Sequence, residues 1–140
     1  MNIFSLTKIS PPLVIILPTG AGKSTFFFLP AILEPSGCSI IVVPYISLLD
    51  NLVERIKELK IDFIVYKGTD FSGDFDSSGP RPAPLILVSA DVVYTGQFQV
   101  FLQGLASRRV LKRVFIDEAH LFLTEKEFRP NLPKIKVLLR

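Results

Sequence analysis

A chain of 140 residues has room for one domain, and a domain of that size buries about two-thirds of its unfolded surface. With 49% apolar and 21% charged residues, this one is too hydrophobic and too weakly charged to be disordered. Its 8 glycines and 11 prolines are also too few for a collagen-like or low-complexity chain. The net charge of +3 and a pI near 9.1 permit an anionic partner without identifying one.

The most apolar stretches, Leu13–Leu17, Phe26–Leu33 and Ile40–Val43, are short and bounded by Pro, Gly or polar residues. A membrane-spanning helix needs about 20 apolar residues, so none is expected. The N-terminus lacks the small-residue cleavage pattern of a signal peptide. Cys38 is the single cysteine; it lies in an apolar run and reads as a small core residue, and a disulfide framework is excluded.

In chain order, Leu13–Leu17 predicts a strand that runs directly into a glycine-rich turn and a helix. Further strands are predicted at Cys38–Val43, Ile61–Tyr66, Leu85–Ser89 and Arg113–Asp117. Their hydrophobicity is continuous rather than alternating, as in parallel strands covered on both faces. Between them, Ser47–Lys60 carries Leu48, Leu49, Leu52, Val53, Ile56 and Leu59 on one helical face, with Asp50, Glu54, Lys57 and Lys60 on the wet side. Thr95 is placed to cap a second helix whose stripe is Phe98, Phe101, Leu102 and Leu105. Both stripes are core contacts against a sheet and carry no chemistry. Lys67–Pro84, with three glycines and three prolines, reads as a loop. Thr124-Glu125-Lys126-Glu127 matches a capping box that would open a last helix. Short buried strands alternating with helices predict one α/β domain with a parallel sheet and helices on both faces.

The chemistry begins after the first strand, at Leu17-Pro18-Thr19-Gly20-Ala21-Gly22-Lys23-Ser24. This is the Gly-Lys-Ser end of a P-loop, between a strand and a helix as a P-loop must be. Gly20 and Gly22 allow backbone conformations closed to other residues, so that successive N–H groups can turn inward around phosphate oxygens. The helix that follows points its positive end at the same anion. Lys23 would supply positive charge to the β- and γ-phosphates, and Ser24 a hydroxyl to Mg²⁺. The strict pattern has Gly where this chain has Leu17, so the match is to the looser Thr-Gly-x-Gly-Lys-Ser form.

A second acidic motif, Asp117-Glu118-Ala119-His120, ends the last predicted strand. A carboxylate at the end of a buried strand is costly unless a cation or donor compensates it. In a parallel sheet that end lies on the same rim as the phosphate loop. Asp117 is thus the candidate for Mg²⁺, held through water, since Mg²⁺ dehydrates reluctantly. Glu118 beside it is the candidate base for an attacking water.

Together these motifs resemble the first RecA-like lobe of superfamily 2 DExH/DEAH-box helicases, and within them the RecQ-like DNA helicases, over nearly the whole of residues 1–140. Pro18–Ser24 is similar to helicase motif I, in which the Leu17 position is commonly not Gly. Val42-Val43-Pro44-Tyr45-Ile46-Ser47-Leu48-Leu49-Asp50 resembles motif Ia. Ile86–Asp91 stands where the family has a strand ending in Thr-Pro-Glu, a loose match. Asp117–His120 is similar to motif II, and Phe128-Arg129-Pro130 also suits RecQ-like chains.

The resemblance implies a P-loop NTPase fold with ATP and Mg²⁺ as cofactors. Thr19, Gly20, Ala21, Gly22, Lys23, Ser24 and Thr25 would bind nucleotide, together with His120, which would also link nucleotide state to neighbouring motifs. Ser24 and Asp117 would hold the metal, and Glu118 and Lys23 would be catalytic. Pro44, Tyr45, Ser47, Ser89 and Asp91 would face a nucleic-acid backbone, with DNA preferred to RNA as partner and the nucleus or another DNA-containing compartment as location. For Tyr45 and Tyr94, packing beside the sheet and base stacking stay open alternatives. So do a solvated strand entrance and a nucleic-acid patch for Arg108, Arg109, Lys112 and Arg113.

The family's adenine-reading Gln has no counterpart before Leu17, and no Ser-Ala-Thr motif III or second RecA-like lobe occurs before Arg140. That lobe would bring an arginine finger, worth roughly 10³–10⁵ in rate in phosphoryl transfer. The expectation is therefore an ATP-binding lobe of a DNA helicase that binds ATP–Mg²⁺ weakly and hydrolyses little alone. The alternative is a non-catalytic nucleotide-binding fragment or relic of such a helicase. A GTPase would need an Asn-Lys-x-Asp guanine reader and a small kinase an Arg-rich lid, and the sequence has neither.

Overall fold

The computed structural model describes residues 2–5, 13–14, 22–67 and 83–118. Within them six strands form one sheet: β1 (Asn2–Ser5), β2 (Leu13–Val14), β3 (Cys38–Val43), β4 (Phe63–Val65), β5 (Leu85–Ser89) and β6 (Leu111–Ile116), in the order β2-β1-β6-β3-β5-β4. Four α-helices accompany them: α1 (Lys23–Leu33), α2 (Ile46–Glu58), α3 (Ala90–Val93) and α4 (Gly96–Ser107).

The four strands β6, β3, β5 and β4 are mutually parallel, with Ile40 opposite Ile86 on one side and Val114 on the other. Successive side chains of a strand leave opposite faces, and here both faces are buried. Ile40, Val42, Ile86, Val88, Val114 and Ile116 pack under α3 and α4 through Ala90, Val93, Phe98, Phe101, Leu102 and Leu105. Ile41, Val43, Leu85, Leu87 and Phe115 pack under α1 and α2 through Phe27, Phe28, Ala31, Leu49, Leu52 and Ile56. Hence the strands read as unbroken apolar runs. Cys38 is fully buried among the first set, as a core residue. The architecture is the RecA-like α/β fold of a P-loop NTPase, with helices on both faces of the sheet.

The sheet also contains something the sequence pattern did not announce. β1 pairs antiparallel with β6, Ile3 opposite Phe115, and β2 pairs antiparallel with β1. A four-residue strand carries too little periodicity to be read from sequence. The strand predicted at Leu13–Leu17 is described at Leu13–Val14 only; its remainder, the loop at 68–82 and the capping box at Thr124–Glu127 lie outside the described residues.

Several boundaries shift, two of them at left-handed residues. The helix predicted to reach Lys60 ends at Glu58, because Lys60 takes a left-handed φ of 55°. Its N–H then donates to the Lys57 carbonyl and that of Ile61 to Ile56, the paired bonds of a Schellman ending. Helix α4 closes in the same way: Arg109 has φ 57°, with Arg109 N–H to Ala106 and Val110 N–H to Leu105. That turn lets β6 start at Leu111, two residues before the Arg113 expected. β4 is conversely shorter than Ile61–Tyr66, since Ile61 belongs to the helix ending. At the start of α4 the Thr95 hydroxyl accepts the Phe98 N–H at 3.3 Å, the cap expected from sequence.

A non-glycine residue held left-handed gives up roughly 1 kcal/mol. Lys60→Gly is expected to raise the unfolding free energy by about 0.5–1 kcal/mol, measured by urea denaturation. No gain would mean that Lys60 does not hold this conformation.

Candidate nucleotide site

The first described residue of the phosphate loop, Gly22, has φ 78° and ψ 32°, left-handed values that a side chain would strain. It caps α1, whose first turn contains no acidic residue of its own to offset the positive helix end. The Thr25 N–H closes the turn on the Gly22 carbonyl at 3.0 Å. Thr19, Gly20, Ala21 and His120 lie outside the described residues.

Lys23, the first residue of α1, reaches across to the end of β6. Its Nζ donates to Glu118 Oε1 at 2.9 Å and stands 4.0 Å from Asp117 Oδ1. Two motifs remote in sequence therefore share one rim of the sheet. The hydrogen bond to Glu118 holds the Lys23 ammonium above its ordinary value; partial burial opposes this, and the Glu118 and Asp117 charges reinforce it.

Asp117 follows β6 directly, and its N–H donates to the Val42 carbonyl at 2.9 Å, tying it to the neighbouring strand. Burial pushes its carboxyl above the ordinary carboxylate range, more than the adjacent Lys23 charge draws it down; the Glu118 charge adds to the rise. Its Oδ1 accepts the Glu118 N–H at 3.0 Å, which opposes the rise. Glu118 itself has φ 50°, a left-handed conformation that costs a non-glycine residue of order 1 kcal/mol or more and is common where a side chain must be aimed.

A Mg²⁺ ion suits this donor set. The Asp117 carboxylate and the Ser24 hydroxyl are hard oxygen donors, and two carboxylates beside one ammonium leave one negative charge over for a cation. Among the described residues no three His, Cys, Asp or Glu side chains gather into a cage, so such an ion would depend on phosphate and water oxygens for most of its shell.

One contact was not foreseen from the sequence. Arg55, from the middle of α2, donates through Nη1 to the Ser24 hydroxyl at 2.6 Å. Helical periodicity sets Arg55 on the border of a core stripe and says nothing of a loop 31 residues earlier; no sequence signal could have found it.

The residues expected to face nucleic acid collect at the carboxyl ends of β3 and β5, where Val43 lies opposite Ser89. Pro44 is buried, and Tyr45 and Ser47 are exposed around the start of α2. Ser89 is buried and donates its hydroxyl to the Asp91 carboxylate, while Asp91 is exposed. Tyr94 packs against the core under α3 and α4; burial raises its hydroxyl to about 12. The basic cluster lies elsewhere: Arg108 and Arg109 close α4, and Arg113 forms a two-pronged contact with Glu34, 3.1 Å to each carboxylate oxygen. This is the amino end of β6, opposite to Asp117, where Arg108, Lys112 and Arg113 are half-buried and Arg109 is exposed.

Comparison with known proteins shows the family. The DEAD/DEAH box helicase family matches residues 5–140. An ATP-dependent DNA helicase Q5 of Mus musculus is 30% identical over 96% of this chain and 14% of its own length. RecQ-like DNA helicase blm-1 of Caenorhabditis elegans is 30% identical over 89% and 13%. ATP-dependent DNA helicase RecQ of Bacillus subtilis is 28% identical over 89% and 21%. The chain thus spans between 13% and 21% of the length of these relatives.

The raised Asp117 carboxyl has a consequence for stability. Its ionisation costs the fold free energy, a cost absent below the ordinary carboxylate pKa that grows as pH rises through the folded value. Asp117→Asn keeps the shape and the acceptor for the Glu118 N–H. Its thermal midpoint is expected to exceed that of the wild type at neutral pH, with the gap closing towards pH 4. A variant less stable at neutral pH would show that attraction to Lys23 outweighs burial.

Proposed function

The chain belongs to the DEAD/DEAH box helicase family, and we propose that it is the ATP-binding lobe of an ATP-dependent, RecQ-like DNA helicase. The observation that carries this reading is the convergence of Lys23 with Asp117 and Glu118 on one rim of the sheet. Phosphoryl transfer asks little covalent chemistry of a protein; it asks for positioned charge around a triphosphate.

In this reading Lys23 exchanges its bond to Glu118 for the β- and γ-phosphates, and the first-turn N–H groups of α1 take further phosphate oxygens. Ser24 and Asp117 would hold Mg²⁺, which supplies charge neutralisation at the phosphates. Glu118, released from Lys23 and already aimed by its backbone, accepts a proton from the attacking water. His120, Thr19, Gly20 and Ala21 keep the nucleotide-binding roles that the family resemblance implies, and Thr25 stands next to Ser24 in the same turn.

DNA would cross the carboxyl ends of β3 and β5. Exposed Tyr45 and Ser47 and the N–H groups that open α2 are ordinary phosphate contacts. Asp91 repels a phosphate backbone, so Ser89 and Asp91 fit better as supports of that edge than as direct contacts. Unwinding and full hydrolysis are expected to need a second RecA-like lobe, which would close the nucleotide cleft.

Calorimetric titration of the chain with ATP and Mg²⁺ tests the reading. Weak binding is expected, reduced at least tenfold by Lys23→Ala, with hydrolysis close to background. A strong ATPase stimulated by single-stranded DNA would overturn the dependence on a second lobe. Failure of any nucleoside triphosphate to bind would favour a relic without nucleotide function.

A further inference from the structure

We propose that Arg55 is a nucleotide-binding residue: its guanidinium holds the Ser24 hydroxyl when no divalent cation is present and offers its remaining N–H groups to a metal-free triphosphate. The inference rests on the nucleotide reading above and adds to it a residue outside the phosphate loop and the acidic motif.

Several observations lead here. Arg55 lies on an exposed part of α2, one residue after Glu54 and three before Glu58. An Arg at that spacing would ordinarily pair with Glu58 on its own helix. Among the described residues no carboxylate lies within ion-pair distance of it; its side chain crosses to α1 and donates to Ser24 at 2.6 Å. Helices α1 and α2 cover the same face of the sheet, so this contact bridges two neighbours in one layer.

Ser24 is the hydroxyl that would serve a metal. The hydroxyl oxygen has two lone pairs and the guanidinium takes one, but a divalent cation on the other would stand within a few ångströms of a like charge, so the two cations compete for one atom. Arg55 spends one N–H on Ser24 and has others in its planar fork, a shape suited to phosphate oxygens. Lys23, by contrast, is engaged by Glu118 and Asp117 in the same state. Without metal, Arg55 is thus the cation at Ser24 that no described acid engages. With metal on that oxygen, the divalent charge repels the guanidinium from Ser24. Its contribution to affinity is therefore large without Mg²⁺ and small with it.

The test is ATP titration by calorimetry in Mg²⁺ and in EDTA, on wild type, Arg55→Ala and Arg55→Lys, with thermal midpoints recorded for each. In EDTA, Arg55→Ala is expected to weaken binding about tenfold, the size of one charge-assisted hydrogen bond. In Mg²⁺ the loss should be no more than about twofold, and Arg55→Lys should recover part of the EDTA affinity by restoring charge without the fork. Equal losses in both buffers, or none in either, would overturn the proposal. So would a lowered midpoint with an unchanged Mg²⁺-to-EDTA ratio, because a mere tether between α1 and α2 has that signature. If the wild type binds ATP in neither buffer, the nucleotide reading itself fails, an outcome distinct from a variant that keeps the wild-type ratio.

Discussion

The contact between Lys23 and the acids at the end of β6 is the constraint around which this molecule is organised. An ammonium at 2.9 Å from Glu118 and 4.0 Å from Asp117 demands that the start of α1 and the carboxyl end of β6 meet at one rim. Both acids would be poor choices for stability alone. Asp117 loses solvation, and Glu118 sits in a left-handed backbone conformation. Removing either acid would leave Lys23 with less compensation, and removing Lys23 would leave two neighbouring carboxylates facing each other. Titratable groups held in such perturbed surroundings cluster at functional sites.

The rest of the fold keeps those groups in register. Parallel strands with helices on both sides bring the carboxyl ends of β3, β5 and β6 to one rim, where loops are free to carry function. Two apolar layers hold the sheet rigid: Phe115 packs edge-on to Phe27 at 5.3 Å on one face, and Tyr66 stacks near Phe98 and Phe101 on the other. Since Phe115 lies two residues before Asp117 and Phe27 four residues after Lys23, the same core contact that secures the layer also sets the separation of the charged groups. Packing and electrostatics are in this sense one arrangement, and the Val42 carbonyl that receives the Asp117 N–H ties it to β3 as well.

Much of this was legible in the residues. The glycine-rich turn before Lys23 and Ser24, the acidic pair closing a buried strand, and the continuous apolar runs each point to a cause that acts locally or through a simple period. Boundaries were less legible, because Lys60 and Arg109 adopt left-handed conformations usually reserved for glycine, and nothing about a Lys or an Arg announces that. β1 was illegible for a different reason. Four residues cannot show a period, and their strand character exists only through pairing with β6 and β2.

Amino-acid order alone determined the family, the order of the longer elements and the faces they bury, since those depend on residue type and on spacings of two or 3.6. Which atoms meet was decided by tertiary structure: Lys23 with Glu118, Arg55 with Ser24, Asp117 with the Val42 carbonyl, and an antiparallel strand beside β6. Contacts between residues tens of positions apart depend on how layers stack and how far long side chains reach, and no periodicity along a chain encodes either.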